Sequence, residues 1–415
     1  MGEQEQLSPS LNVVIVGNGV AGVTAASIIK EKNPETRVSI YTDENSHYYP
    51  RPRLYEVLSG EAKPQDVSMF SEEWYKNSGI IVHLNKKALS IDTERKELLL
   101  EDRSRVNYDK LLLANGGRSF VPPIKGVEKT GVFTLRTIND ALSIKEFTKK
   151  TKRATVIGGG LLGLEFASSL RKLGQQATVV ELFPRLLPRQ LDPDGAAILK
   201  NRIESRDIDI VLGVKTVEIL GRETVSGILL DSGETISGDL VLVSAGMRSN
   251  TELALEARIK VNRGVVVDGH LRTSADDVYA VGDVAEFEGT VYGIIPAALE
   301  QARIAATNIL GTEHNVYTGT IPSNTLRIVD VDLTSLGLVN PEEPKYDEIK
   351  KIDAKKGVYK KLVLDKGKIV GAILLGDKKG VISIKRLMAQ ETDITQHKDS
   401  ILNDDFDYKK VTSLT

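Results

Sequence analysis

The feature that most constrains this chain is a segment of strand, glycine-rich turn and helix that occurs twice. An apolar, β-branched stretch at Val13–Val16 runs into GNGVAG at residues 17–22, and a similar stretch at Ala154–Ile157 runs into GGGLLG at residues 158–163. A helical stretch follows each turn, and a second short apolar strand follows each helix. Strands of this kind are typical of buried parallel sheets. The repeat therefore predicts two Rossmann-like βαβ units and an α/β fold.

The spacing of the glycines in both turns indicates dinucleotide binding. In a GxGxxG turn the first glycine permits the tight turn, the second lets the backbone approach a pyrophosphate, and the third lets the helix pack close to the strand. The N–H groups and the dipole of the helix N-terminus then attract phosphate. Two such turns in one chain predict two bound nucleotides.

Acidic residues follow the second strand of both units, where a ribose would lie. Asp43 and Glu44 follow the first of these strands, and we expect at least one of them to contact ribose. Glu181 ends the other strand, where a carboxylate hydrogen-bonds a 2′-hydroxyl and repels a 2′-phosphate. The second site is therefore expected to prefer NADH to NADPH, although Arg185 and Arg189 are close enough in sequence to weaken that preference.

A third motif, TSADDVYAVGD at residues 273–283, ends on Gly282 and Asp283 after a short strand. An aspartate in this position can accept hydrogen bonds from a sugar-like polyol. It can equally serve as the N-cap of the helix that follows, a role worth about 1 kcal/mol. The motif by itself leaves both interpretations open.

Composition excludes several other classes of protein. A chain of 415 residues is too long for one core and predicts two or three domains, and a net charge of −2 does not favour a nucleic-acid binder. The absence of cysteine excludes thiolate nucleophiles, redox disulfides and cysteine-ligated metals. The five histidines lack metal-ligand spacing, so no metal site is expected. No apolar run is long enough for a membrane span, and residues 1–10 are too polar for a signal peptide, so a cytoplasmic location is expected.

The three motifs, in this order and spacing, resemble the FAD-dependent pyridine nucleotide-disulfide oxidoreductase superfamily. The resemblance implies FAD at the first glycine turn, NAD(P)H at the second, and the ribityl chain of FAD at the late Gly-Asp. Within this superfamily, HYYPRPRL at 47–54, LRTINDALSIKE at 135–146 and YAVGDVAEF at 279–287 are most similar to NADH:rubredoxin oxidoreductases. They are also similar to ferredoxin reductases, to the flavin-binding part of nitrite reductases and to apoptosis-inducing factor.

The same resemblance assigns roles to individual residues. It implies that Arg51 contacts FAD, that Ala114–Gly116 passes the flavin nucleotide with Asn115 in place of a more usual threonine, and that Glu165 lies where nicotinamide stacks on flavin. The residues expected to bind FAD are Gly17, Asn18, Gly19, Val20, Ala21, Gly22, Asp43, Glu44, Arg51, Pro52, Ala88, Ala114, Asn115, Gly116, Arg118, Gly282, Asp283, Pro296 and Ala297. Those expected to bind NADH are Gly158, Gly160, Leu161, Leu162, Gly163, Glu165, Glu181 and Gly246.

One departure from the family pattern concerns Glu56. Many relatives carry a lysine there, and that lysine pairs with the glutamate that matches Glu165. This chain would instead bring two carboxylates together, unless Glu56 is simply an exposed helix residue. We hypothesise that Arg53 offsets the charge and tunes the flavin. No residue is assigned as an acid or base, because hydride transfer to flavin needs none.

The lack of cysteine also decides how electrons leave. Disulfide chemistry is unavailable to this chain, so electrons are expected to pass from the flavin directly to another acceptor. A small acidic electron carrier, rubredoxin or ferredoxin, fits best. The alternatives are a protein of the apoptosis-inducing-factor type whose output is assembly, and the flavin component of a nitrite reductase system. A membrane-associated quinone reductase is disfavoured, because Val381–Met388 is too short and polar for an interfacial helix.

The domain plan that follows has three parts. Residues 1–118 and 246–315 are expected to form a discontinuous FAD-binding domain, residues 119–245 the inserted NAD(P)H-binding domain, and residues 316–415 a small α+β domain for partner docking or dimerisation. Residues 345–386 carry 13 Lys or Arg and 5 Asp or Glu. This excess predicts either a solvated basic face or a docking surface for an acidic carrier. A monomer or a homodimer is expected.

Overall fold

The computed structural model describes residues 10–312 and 314–412, and the side chains of these residues except 324–328 and 412. The segment predicted to lack a signal peptide therefore lies almost entirely outside the described residues. The helices in chain order are α1 (Val20–Lys32), α2 (Leu54–Ser59), α3 (Glu72–Asn77), α4 (Ile138–Thr148), α5 (Leu161–Lys172), α6 (Pro193–Glu204), α7 (Glu252–Glu256), α8 (Ile295–Leu310), α9 (Val381–Ala389) and α10 (Lys409–Thr412).

The strands fall into several sheets. In chain order they are β1 (Asn12–Val16), β2 (Arg37–Tyr41), β3 (Ile80–His83), β4 (Ala88–Asp92), β5 (Glu97–Leu100), β6 (Arg105–Asn107), β7 (Lys110–Leu113), β8 (Gly117–Ser119), β9 (Val132–Phe133), β10 (Arg153–Ile157), β11 (Gln176–Glu181), β12 (Ile208–Leu212), β13 (Thr216–Leu220), β14 (Gly227–Leu230), β15 (Thr235–Ser237), β16 (Leu240–Val243), β17 (Met247–Ser249), β18 (Val265–Val267), β19 (Val278–Ala280), β20 (Ala285–Phe287), β21 (Ser323–Ile328), β22 (Val331–Gly337), β23 (Asp347–Asp353), β24 (Val358–Asp365) and β25 (Lys368–Leu375).

The chain divides into two compact units. The first contains residues up to Arg53, Ala62–Ser119 and Met247–Thr320, and the second contains Leu54–Glu61, Phe120–Gly246 and the chain from Ile321 onward. The short helix α2 belongs to the second unit, where it packs against α4 and α5.

The first unit is built on a five-stranded parallel sheet of order β19-β7-β1-β2-β3. Its central strands are fully buried because residues such as Val13, Val14 and Ile15 are apolar on both faces. Helices α1 and α8 pack against each other beside this sheet. Since all five strands run the same way, the segments that follow β1, β2, β7 and β19 emerge at one edge.

The second unit contains a five-stranded parallel sheet, a five-stranded antiparallel sheet and a three-stranded antiparallel sheet of order β13-β14-β15. The parallel sheet has the order β12-β11-β10-β16-β9 and carries the second glycine turn after β10. The five-stranded antiparallel sheet has the order β21-β22-β25-β24-β23, and α9 covers it with a core that includes Leu362, Ile384 and Leu387. The predicted α/β class, with two Rossmann-like sheets and a small α+β region at the C-terminus, is confirmed.

Candidate functional site

The first glycine turn follows β1 at the carboxyl edge of its sheet. Gly17 adopts φ +108°, and a Cβ there would overlap the carbonyl of Ala114. A Cβ at Gly22 would overlap the carbonyl of Gly17, so this glycine is needed for the close contact of α1 with the turn. A Cβ at Gly19 would meet nothing within 4 Å, and α1 begins there without a side-chain cap. The turn therefore offers open space and uncapped N–H groups, including those at Val20 and Ala21, which fits a pyrophosphate.

Asn18, between the first two glycines, accepts a hydrogen bond from Tyr75, a residue that the sequence did not single out. The hydroxyl of Tyr75 lies 3.0 Å from Asn18 Oδ1, and the backbone N–H of Tyr48 donates to that hydroxyl at 3.4 Å. Tyr75 is 2% exposed and stacks on His47. The aromatic run at residues 74 and 75 was the only sequence signal that could have pointed to it.

The two acids expected near the FAD ribose lie further along the chain than the position that corresponds to Glu181 in the second unit. Val16 pairs with Tyr41 in the first unit, and Ile157 pairs with Val180 in the second, so Thr42 is the structural counterpart of Glu181. Asp43 and Glu44 come one and two residues later. Asp43 is exposed, whereas Glu44 forms an ion pair with Arg51. Arg51 therefore neutralises Glu44 and leaves Asp43 as the exposed carboxylate.

Backbone hydrogen bonds connect this acidic segment to the residues just before Ala88, another residue predicted to bind FAD. The N–H groups of Asn85 and Lys86 donate to the carbonyls of Glu44 and Thr42, at 3.0 and 2.7 Å, just before Ala88 begins β4. Pro52 lies in a short 3₁₀ helix, Arg51–Arg53, whose first residue is the partner of Glu44.

Asn115 takes part in a reciprocal clamp. Its Nδ2 donates to the carbonyl of Asn250 at 2.9 Å, and the Nδ2 of Asn250 donates to the carbonyl of Asn115 at 2.8 Å. Arg118 adds a bond to Asn250 Oδ1 at 3.2 Å and an ion pair with Glu252 at 2.7 Å. The clamp fixes the turn of Ala114–Gly116 where β8 pairs with β17. The asparagine that replaces the more usual threonine thus has a structural role of its own.

The late Gly-Asp motif lies at the same sheet edge, after β19. Gly282 adopts φ +77° and donates its N–H to Oε1 of the buried Gln301 at 2.8 Å. Asp283 lies in a 3₁₀ helix, Gly282–Val284, that leads into β20. It is therefore not the N-cap of α8, whose N-cap is Ile294, and that alternative interpretation was wrong. Gln301 was not predicted, because the partner of Gly282 is known only from the fold.

Pro296 and Ala297 open α8. Pro296 occupies the first turn, where its missing N–H costs no hydrogen bond, and Ala297 is buried. Both residues lie in the first unit together with the first glycine turn, the clamp and the Gly-Asp motif.

The second glycine turn repeats the geometry of the first. Gly158 adopts φ +115° with its N–H 2.8 Å from the carbonyl of Val180, and a Cβ at Gly163 would overlap the carbonyl of Gly158. A Cβ at Gly160 would meet nothing within 4 Å. Leu161 and Leu162 begin α5 with no side-chain cap. This turn also fits a pyrophosphate.

The carboxylate of Glu181 supports this turn directly. It is 7% exposed, and it accepts the N–H of Gly159 at 2.6 Å and the N–H of Phe183 at 2.9 Å. The acid at the end of β11 is thus fixed in position beside the turn. Gly246, the last predicted NADH residue, adopts φ +106° with open space at its Cβ position.

Glu165, on the first turns of α5, meets the hairpin that joins β21 and β22. Its Oε1 accepts the N–H of Val329 at 2.9 Å. Burial raises the pKa of Glu165 to about 7, although the Val329 hydrogen bond and Lys172 oppose that rise. Asp330 and Glu61 are the acidic neighbours that raise the pKa further.

Arg53, the residue expected to offset Glu56, donates to the carbonyl of Asp66 at 3.1 Å in the first unit. Glu56 lies in the first turn of α2. The proposed repulsion between Glu56 and Glu165, and its compensation by Arg53, stay predictions.

Most lysines of the basic segment 345–386 are paired with carboxylates. Several of those partners, such as Asp194, Asp332 and Asp404, come from outside the segment. The ion pairs are Lys345–Glu343, Lys350–Asp194, Lys351–Asp404, Lys356–Asp353, Lys360–Asp377, Lys361–Glu348, Lys368–Glu391 and Lys378–Asp332. The charge excess counted along the sequence is therefore largely offset in the fold.

Neither a metal cluster nor a membrane-spanning helix is present in the described part of the chain. Across residues 10–312 and 314–412, no group of three His, Asp or Glu side chains is arranged to hold a metal ion. In the same residues, each helix is too short or too polar to cross a bilayer.

Comparison with known proteins gives two family matches. A profile described as pyridine nucleotide-disulphide oxidoreductase matches residues 11–305. A second, described as the rubredoxin NAD+ reductase C-terminal domain, matches residues 322–392.

Individual relatives are similar over nearly the whole chain. A nitrite reductase [NAD(P)H] of Bacillus subtilis is 37% identical over 92% of this chain and 48% of its own length. An NADH-rubredoxin oxidoreductase of Clostridium acetobutylicum is 29% identical over 95% of this chain and 99% of its own. A ferredoxin reductase structure from Rhodopseudomonas palustris superposes with TM-score 0.85 at 27% identity, over 96% of this chain and 99% of that one.

The chain spans about half the length of the curated relatives that it matches first, which are nitrite and nitrate reductase polypeptides. The first family profile, by contrast, covers well over half of this chain and includes both glycine turns and the Gly-Asp motif. The chain therefore belongs to the pyridine nucleotide-disulphide oxidoreductase family.

Proposed function

We propose that this protein is an FAD-dependent reductase that takes hydride from NADH and passes electrons to rubredoxin. The observation that carries the proposal is the pair of open glycine turns in a chain without cysteine. Two nucleotides can bind, and no disulfide or thiolate can relay electrons between them. The match of residues 322–392 to the rubredoxin NAD+ reductase C-terminal domain supports rubredoxin as the acceptor.

The proposed FAD site lies in the first unit. Gly17, Gly19 and Gly22 form the turn for the pyrophosphate, and Asp43 is the carboxylate proposed for the ribose because Arg51 already pairs with Glu44. The Asn115–Asn250 clamp and the Gly282–Gln301 bond fix the two other segments that follow parallel strands at this edge. Bound FAD would supply the ability to accept a hydride and to release electrons singly.

The proposed NADH site lies in the second unit. Gly158, Gly160 and Gly163 form the turn, and Glu181 is proposed to accept a hydrogen bond from the adenosine ribose. A 2′-phosphate would meet that fixed carboxylate, which favours NADH over NADPH. The residues of the chain would bind and orient the nucleotide, and no side chain needs to move a proton during hydride transfer.

A second candidate function is the flavin component of a nitrite reductase system. It is favoured by the first-matched relatives, which are about twice the length of this chain. In that case the electrons would go to a nitrite-reducing polypeptide instead of rubredoxin. The proposed compartment is the cytoplasm for either function, because the proposed reductant is NADH.

Anaerobic reduction followed by stopped-flow reoxidation tests the proposal. Purified protein loaded with FAD should be bleached by NADH and should be reoxidised by rubredoxin much faster than by ferredoxin, a quinone or oxygen. Failure of NADH to bleach the flavin would contradict the proposed reductant. Reoxidation that is fast only with a nitrite-reducing polypeptide would replace rubredoxin by the second candidate.

A further inference from the structure

The loop that follows Glu181 carries two cations close in sequence to the acid proposed for the NADH ribose. Leu182 and Phe183 are 58% and 53% exposed, while Leu186, Leu187 and Leu191 are buried beneath them. The buried leucines hold the loop down. Its path also carries Arg185 and Arg189, which the sequence identified as residues able to weaken a preference for NADH.

Arg185 is folded back on its own loop. Its Nη2 lies 3.5 Å from the carbonyl of Pro188, a long hydrogen bond, and its Nε is buried without a partner among the described residues. The guanidinium is therefore held by the turn of the loop. Its position depends on where the Pro188 carbonyl points.

That carbonyl is fixed by a residue from the C-terminal sheet region. Nδ2 of Asn340, between β22 and β23, donates to the carbonyl of Pro188 at 3.0 Å and to the carbonyl of Leu191 at 3.2 Å. One amide group thus spans both ends of the turn, since it bridges residues 188 and 191. Asn340 and Arg185 share the same acceptor.

The contact is part of a larger buried attachment within the second unit. Tyr359 of β24 donates its hydroxyl to Asp192 at 2.5 Å, and Lys361 pairs with the same carboxylate at 3.2 Å. A Cβ at Gly195 would lie 3.0 Å from the Tyr359 ring. Asp192 ends the loop and caps α6. The C-terminal sheet is therefore attached to the chain at the residue next to Leu191, whose carbonyl accepts from Asn340.

We propose that Asn340 is a specificity-determining positioning residue for the NADH site. By holding the Pro188 carbonyl it keeps Arg185 folded on the loop, so the guanidinium of Arg185 does not oppose the Glu181 carboxylate at the ribose end of the site. An arginine released from the loop could pair with a 2′-phosphate, which binds guanidinium strongly. The inference rests on the proposed use of NADH.

Two Asn340 variants test this directly. Asn340→Ala removes the amide, and Asn340→Leu removes it while keeping the branching and the number of heavy atoms of the side chain. Binding of 5′-ADP and 2′,5′-ADP is measured by isothermal titration, together with KM and kcat for NADH and NADPH. Both variants should raise the affinity for 2′,5′-ADP relative to 5′-ADP about fivefold. The ratio of KM for NADPH to KM for NADH should fall by a similar factor.

Arg185→Ala and Arg206→Ala supply the controls. In an Arg185→Ala background, replacing Asn340 should leave the binding ratio unchanged, because the cation is gone. Arg206→Ala removes a surface ion pair with Asp330, 3.4 Å long, and should not alter the ratio. An unchanged ratio in both Asn340 variants, or a change that persists without Arg185, overturns the inference. A wild-type protein that binds neither NADH nor 5′-ADP would overturn the proposed function itself.

Discussion

At the scale of single residues, glycines of one motif have different physical tasks. A side chain at Gly22 would overlap the carbonyl of Gly17, whereas one at Gly19 would enter open space. Folding constrains the former, and the proposed pyrophosphate contact would constrain the latter. The same distinction separates Gly163 from Gly160 in the second turn.

Alanine substitutions should separate these tasks. Gly19→Ala should leave the thermal midpoint of the apoprotein almost unchanged but reduce FAD affinity about tenfold, because its methyl group would occupy the pyrophosphate space. Gly22→Ala should destabilise the fold by about 2 kcal/mol or more, because the backbone must shift to relieve the overlap. Flavin content by absorbance and apoprotein melting curves measure the two effects.

Gly160→Ala is the matched control. It should weaken NADH binding without altering flavin content. Equal loss of flavin from Gly19→Ala and Gly160→Ala would contradict the assignment of one nucleotide to each turn.

Glu165 gives a pH-dependent prediction at the same scale. Its pKa is raised to about 7 from an ordinary 4.5, chiefly by burial. Between these two values the folded state keeps a proton that the unfolded state has lost, so stability falls as pH rises through this window. Above pH 7 the full cost of the buried charge is present.

Glu165→Gln should remove this cost while still accepting the Val329 N–H. We expect no stabilisation near pH 4.5 and about 1 kcal/mol above pH 7, after allowance for partial solvent screening. Urea unfolding followed across this pH range is the measurement. A difference between variant and wild type that does not vary with pH would show that the carboxyl is not titrating in this window.

At the scale of elements, the N-terminus of α6 is where a strand from the C-terminal sheet meets a helix of the nucleotide-binding part. Burial alone would raise the pKa of Asp192, but hydrogen bonds from Tyr359 and Gly195 and the charge of Lys361 lower it below its usual value. The carboxylate therefore contributes stability above its ordinary pKa of 3.8, and that contribution is lost as pH falls further. One aspartate caps α6 and also joins it to β24.

Tyr359→Phe should lower stability by about 1–3 kcal/mol at neutral pH, because Asp192 would lose its shortest hydrogen bond in a buried site. Thermal melting of the FAD-loaded protein measures the loss. Tyr108→Phe is the control, since the hydroxyl of that buried tyrosine has no hydrogen-bond partner in the described part of the chain. Equal effects of the two substitutions would argue that the Asp192 contact contributes nothing.

At the scale of the whole molecule, charge along the sequence and charge in the fold differ. The 345–386 segment looks strongly basic when counted in order, yet most of its lysines are paired with carboxylates, which include Asp192, Asp332 and Asp404. Electrostatic steering depends on the field that remains after such pairing.

Reduction of rubredoxin should accordingly depend only weakly on salt. We expect its rate to change by less than about threefold between low and high ionic strength, because most lysines of this segment are already paired with carboxylates. Stopped-flow reoxidation at several salt concentrations measures this dependence. A small dye is the control, because it accepts electrons without docking on a charged protein surface. A tenfold fall in the reoxidation rate with rubredoxin but not with the dye would contradict this prediction and support a basic docking surface.

The sequence by itself determined the parts of this protein that depend on local order. The glycine turns, the strands before them and the position of Glu181 were readable because each rests on residues within one βαβ unit, and the family was readable from the order of three such local motifs along the chain. A positive φ at Gly17 or Gly158 follows from the same local pattern.

Only the tertiary structure decided which distant residues complete these local patterns. Tyr75 under Asn18, Gln301 beside Gly282 and Asn340 on the Pro188 carbonyl each join positions far apart in sequence. The same holds for the partners of the lysines and for the raised pKa of Glu165. Such contacts arise from how sheets and helices pack, and a one-dimensional pattern of residue types does not contain that information.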